Sequence, residues 1–118
     1  CFAILGTAHA SECVARSDQT PVVVEIVQFR LAPNVTDQQF LNAAKATMPY
    51  LCSVDGFIRR NLSKDKTGLW TDYVEWTDIK IAQTAAENAM KREDMMPFMT
   101  TIDPGTISMM YSNILPMK

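Results

Sequence analysis

Between Val22 and Leu115 the hydrophobic period of this chain switches four times between two residues and about 3.6. Val22 to Leu31 is rich in β-branched residues. Val23, Glu25, Val27, Phe29 and Leu31 alternate with Val22, Val24, Ile26, Gln28 and Arg30. Both faces are largely apolar, which marks a central strand covered on two sides. Ala32-Pro33-Asn34 breaks it, and Thr36-Asp37-Gln38-Gln39 is a capping-box pattern. Phe40, Leu41, Ala44, Met48 and Leu51 then fall near one helical face, with Pro49 in the last turn or at a kink. After the Asp55-Gly56 turn, Phe57 to Ser63 reads as a strand in which Phe57, Arg59 and Asn61 oppose Ile58, Arg60 and Leu62. A polar loop, Lys64 to Gly68, leads into a third strand, Leu69 to Trp76, whose one face carries Trp70, Asp72, Val74 and Trp76. Thr77-Asp78 caps a second helix with the stripe Ile79, Ala82, Ala86, Ala89 and Met90. The charged stretch Lys91 to Asp94 is expected to be exposed. It precedes the proline-broken apolar segment Met95 to Met99. Beyond the Asp103-Pro104-Gly105 turn, Thr106 to Leu115 forms a fourth strand, with Ile107, Met109, Tyr111 and Asn113 on one face.

The order strand, helix, strand, strand, helix, strand predicts an α+β fold of the ferredoxin-like βαββαβ type. Its four-stranded antiparallel sheet would carry the helices on one face. Such a fold does not define a function. With 118 residues the chain fits one domain able to bury roughly two-thirds of its unfolded surface. Residues 1–21 read as an N-terminal arm and linker, and 22–118 as the domain. In the arm, Cys1-Phe2-Ala3-Ile4-Leu5-Gly6 is apolar and Ala8-His9-Ala10 has the A-x-A form of a signal-peptidase site. The segment is either the tail of a secretory signal peptide, which implies a periplasmic or secreted protein, or an ordinary arm of a cytoplasmic one.

A net charge of -2 without a basic stripe argues against nucleic acid as a partner, and no apolar run approaches the ~20 residues of a membrane span. Cys1, Cys13 and Cys52 lack metal-ligand spacing, so no metal is expected. They read as buried or free thiols, and a Cys13–Cys52 disulfide requires export.

The runs Val24-Glu25-Ile26-Val27-Gln28-Phe29-Arg30-Leu31, Gly56-Phe57-Ile58-Arg59-Arg60 and Leu69-Trp70-Thr71-Asp72-Tyr73-Val74-Glu75-Trp76 resemble the antibiotic biosynthesis monooxygenase-like family of the dimeric α+β barrel superfamily. The resemblance spans about Val22 to Leu115. It implies a homodimer whose two sheets pack face to face, covering the second apolar face of the first strand. It also implies a small apolar, aromatic or polyketide-like ligand between sheet and helices, and in some members oxidation by dioxygen without metal or flavin. No cofactor is therefore expected. Haem-degrading members and related cyclases depend on a histidine within the domain, whereas the single histidine here is His9.

Glu25 and Asp72 are the candidate catalytic residues. Burial among apolar side chains raises a carboxyl's pKa, which suits a general acid or base. Adjacent first and third strands would place both on one pocket with Trp70 and Trp76. Asp72 could instead pair with Arg59 or Arg30, and Glu25 could be structural. Asn61, Trp70, Trp76, Tyr111 and Asn113 are candidate substrate-binding residues, each with an ordinary packing or interface alternative. Met90, Met95, Met96 and Met99 around Phe98 suit an adaptable apolar pocket, or a plain core.

Overall fold

The computed structural model describes Cys13 and residues 19–117. Four strands, β1 (Val23–Phe29), β2 (Phe57–Lys64), β3 (Trp70–Trp76) and β4 (Ser108–Asn113), form one sheet in the order β2-β3-β1-β4. Every neighbouring pair is antiparallel. The helices are α1 (Asp37–Ala46), α2 (Met48–Ser53), α3 (Ile79–Ala89) and the single turn α4 (Met96–Met99). This is the predicted ferredoxin-like α+β fold.

The local signals act where the sequence places them. Thr36 Oγ1 accepts from the Gln39 backbone N–H at 3.1 Å, and Gln39 Oε1 accepts from the Thr36 N–H at 2.9 Å. Asp78 caps α3 through the Ile81 N–H. The single helix expected from Thr36 to Leu51 is divided at Thr47. Pro49 lacks an N–H to bond back to Lys45, and its ring clashes with that carbonyl, so the chain restarts as α2 with proline in its first turn. The buried Thr47 hydroxyl donates to Ala44 O at 2.6 Å across this junction.

Both long helices cover one face of the sheet. Ala82 and Ala85 of α3 pack on Val23, Phe57, Val74 and Trp76. Phe40 and Ala44 of α1 pack on Phe29, Trp70, Phe98 and Ile102. The opposite face carries Val24, Ile26, Tyr73 and Met110, together with the ion pair of Arg59 and Glu75. Gly56 makes the tight entry to β2 at φ +113°, and a Cβ there would meet Ile81 Cγ2 and Thr77 Oγ1 at 2.9 Å.

One irregularity redirects the site. A bulge between Phe57 and Arg59 pairs Phe57 with Trp76 and Arg60 with Val74. The alternation read from sequence grouped Phe57 with Arg59 and Asn61. The bulge instead puts Arg60 and Leu62 on the helix-covered face, and Arg59 and Asn61 on the other.

Cys13 and Cys52 form a disulfide closing 39 residues of chain, which ties position 13 to α2. Of the alternatives open from sequence, the paired one is observed. Cys1 and the A-x-A segment lie outside the described residues. Among the described residues no helix is long and apolar enough to cross a membrane.

Candidate functional site

In the β1–β3 register, Val23 lies opposite Trp76, Glu25 opposite Val74, Val27 opposite Asp72 and Phe29 opposite Trp70. All of these side chains therefore share the helix-covered face. Glu25 and Asp72 are both buried, at 9% and 8% exposure. They line a cavity of about 350 Å³ between sheet and helices. Its walls are almost entirely apolar, built from Phe29, Val74 and Trp76 of the sheet, Ala85, Ala86 and Ala89 of α3, and Met95, Phe98 and Met99 of the following segment. The small alanines of α3 leave the room beneath that helix. A larger open groove of about 570 Å³ runs between α1 and the edge strand β2, but it contains neither carboxylate.

The two acids have different partners. Asp72 receives a bidentate ion pair from Arg60, Nε to Oδ1 at 2.9 Å and Nη2 to Oδ2 at 2.7 Å. Arg59 and Arg30 are not its partners: Arg59 pairs with Glu75, and Arg30 donates to Thr67 O. The Arg60 side chain is 6% exposed. It also donates to Thr47 Oγ1 at 3.0 Å and Ala44 O at 3.3 Å, and it stacks 5.3 Å from the Phe98 ring centroid. Arg60 is thus spent on Asp72.

Glu25 has no such cation. Its Oε1 accepts from Trp76 Nε1 at 3.0 Å. Burial pushes its pKa up to about 7, opposed by the Trp76 hydrogen bond, assisted by the Asp72 charge and opposed again by Arg60. A carboxyl with that value exchanges its proton near neutrality, the range useful to a general acid or base.

The remaining predicted residues separate by position. Trp76 lines the cavity. Trp70 is packed at the other end of the same face, 4.6 Å from the Phe40 ring, and belongs to a core cluster. Tyr111 sits opposite Glu25 on β4, half-buried against the Val23–Trp76 cluster. Its hydroxyl is pushed up to about 12 by burial and by the charges of Glu25 and Glu87. Asn113 is exposed at the end of β4, and Asn61 is exposed on the opposite face of the sheet. Neither reaches the cavity. Met90, Met95, Met99 and Met109 do line it.

Sequence reasoning missed Arg60, Thr47 and Tyr50. The Tyr50 hydroxyl donates to Ala85 O at 2.7 Å, which fixes α2 to α3 at the cavity wall. Nothing in the alternation of β2 marks the bulge that turns Arg60 inward. Among the described residues no group of three or more His, Cys, Asp or Glu could hold a metal ion.

No known family profile matches the sequence, and no curated protein is significantly similar to it. Solved structures do match. SnoaB, a cofactor-independent oxygenase from Streptomyces nogalater, superposes with a TM-score of 0.57 at 14% identity, over 84% of this chain and 96% of its own. A protein of unknown function from Nitrosomonas europaea gives 0.60 at 12% identity, over 83% and 93%. A dimeric ferredoxin-like protein from an uncultured marine organism gives 0.56 at 11% identity, over 84% and 92%. At these identities the likeness establishes the ferredoxin-like fold and leaves function to the site itself.

Proposed function

We propose that this protein is a cofactor-independent oxygenase of the antibiotic biosynthesis monooxygenase-like type, acting on an aromatic or polyketide-like substrate. The observation that carries this reading is Glu25, a carboxyl of pKa about 7 on the wall of an apolar cavity between sheet and helices. The fold shared with SnoaB supports it. As the carboxylate, Glu25 takes a proton from a substrate C–H acidified by a neighbouring carbonyl. The carbanion transfers an electron to dioxygen, and the radical pair combines to a peroxide anion. That anion takes up a proton, and loss of water from the hydroperoxide leaves a new carbonyl. The net change is a CH2 group and O2 to a C=O group and H2O. Trp76 orients Glu25 through its indole N–H, and the apolar walls exclude water from the carbanion. Asp72, paired with Arg60, acts on this chemistry by holding the Glu25 pKa up rather than as a second base.

The test is oxygen consumption with fused-ring aromatic ketones and phenols, using wild type and Glu25→Gln. Turnover should rise through about pH 7 as Glu25 ionises. The variant should lose roughly 10²–10⁴ in kcat while KM stays within a few-fold. Equal loss in rate and affinity, or full turnover by the variant, would reject the acid–base role. The second reading is a non-catalytic binding protein. It is favoured by the fact that both carboxylates already have hydrogen-bond partners.

The protein is further proposed to act as a homodimer. Ile26, Tyr73 and Met110 put an apolar strip beside the Arg59–Glu75 pair on the sheet face opposite the helices, and a structural neighbour is a dimeric ferredoxin-like protein. Light scattering of the purified chain should give twice the protomer mass at micromolar concentration; the single mass would remove this reading. The Cys13–Cys52 disulfide supports an oxidising compartment.

A further inference from the structure

Glu25, Asp72 and Arg60 form a buried set with two acids and one base. Arg60 is paired with Asp72 and also donates to Thr47 and the Ala44 carbonyl, so with Glu25 ionised the described cavity wall lacks one positive charge. Among the described residues the groups around Glu25 do not supply it. β3 brings Asp72, β2 brings the committed Arg60, and β4 brings Tyr111, which is held neutral. α3 brings Glu87 near Tyr111, and α2 brings Tyr50, whose hydroxyl is bonded to Ala85 O. A proton supplies the charge below neutrality. Above it, the charge must come from outside or Glu25 bears the cost of its burial.

We propose that the cavity binds apolar primary amines as monocations, the ammonium pairing with Glu25 and the apolar body filling the space under α3. Three features select this class. The walls are apolar and include the Trp76 ring beside Glu25. The site has one uncompensated carboxylate, which suits one positive charge and provides no second free carboxylate for a divalent ion. Finally, the Arg60 charge is already matched by the bidentate Asp72 carboxylate, which disfavours an anion. This inference rests on the cavity being the ligand site and adds a ligand class that would compete with an oxygenase substrate.

Three naphthyl probes of similar size decide it: 2-naphthylmethylamine, 2-naphthylmethanol and 2-naphthoate, titrated calorimetrically into the intact protein. At pH 7.5 the amine is expected to bind at least about tenfold tighter than the alcohol, and the naphthoate least. The amine's advantage should shrink as pH falls from 7 to 5 and Glu25 takes up a proton. Glu25→Gln keeps the shape and the acceptor for Trp76. It should bring amine and alcohol to equal affinity while the alcohol still binds. Alcohol binding without amine preference in wild type, or an amine preference that survives in Glu25→Gln, overturns this inference and leaves the oxygenase reading standing. Failure of all three probes to bind overturns both.

Discussion

Replacing Arg60 with alanine is expected to cost the fold about 3–5 kcal/mol. The Arg60 side chain is 6% exposed, and its guanidinium makes two charge-assisted bonds to Asp72, itself buried on the β3 face. Its removal leaves a carboxylate in an apolar wall with no partner, and Thr47 and the Ala44 carbonyl lose a donor at the junction where α1 ends. The penalty belongs to the orphaned charge more than to the lost attraction. The double variant Arg60→Leu/Asp72→Leu should therefore recover most of the loss, since the pair's desolvation disappears along with its Coulomb energy. Urea unfolding of wild type, Arg60→Leu, Asp72→Leu and the double variant measures this as a double-mutant cycle. A double variant as unstable as the sum of the two single ones would show that the pair is not a coupled unit.

Glu25→Gln is expected to stabilise the protein at pH above about 4.5, the gain growing to its full size once pH passes about 7. The folded-state pKa of Glu25, about 7, lies above its ordinary value of 4.5. Between those values the folded protein keeps a proton that the unfolded chain has released, so stability is highest at low pH and falls as pH rises through 7. Once both states are ionised the accumulated cost is about 3 kcal/mol. Glutamine never ionises, and its amide oxygen can still accept from Trp76. At pH 8.5 the variant should exceed wild type by up to about 3 kcal/mol, and at pH 4 the two should coincide. Denaturation midpoints between pH 4 and 9 report the difference directly. Parallel curves would mean that Glu25 meets a compensating charge in the folded state. The same substitution is predicted to lower kcat, so a gain in stability would accompany a loss of function, as expected where a buried acid is kept for chemistry.

The fate of the two tryptophans shows where sequence reasoning about the site stopped. Trp70 and Trp76 share a face of β3, and parity alone assigns both to one pocket. They are six residues apart, roughly 20 Å along an extended strand. That distance exceeds one small cavity, so Trp76 meets Glu25 while Trp70 packs on Phe40. Asn61 fails for a different reason. It shares parity with Phe57, but the bulge between Phe57 and Arg59 reverses parity for everything beyond it. The same bulge concealed Arg60, the residue that decides which of the two acids retains a free charge.

What the sequence determined by itself was local or followed from adjacency. The periods of two and about 3.6, the Thr36–Gln39 capping box and the Asp78 cap are short-range properties, and they set the element order. Glu25 and Asp72 meet because each occupies an inward position on one of two adjacent strands, which the βαββαβ order requires. The tertiary structure alone decided the bulge that turns Arg60 inward, the division of the first helix at Thr47, and the room left beneath the alanines of α3. Each depends on what lies across the interface, on energies of side chains distant in sequence. These interactions made Asp72 half of an ion pair and left Glu25 the acid without a cation.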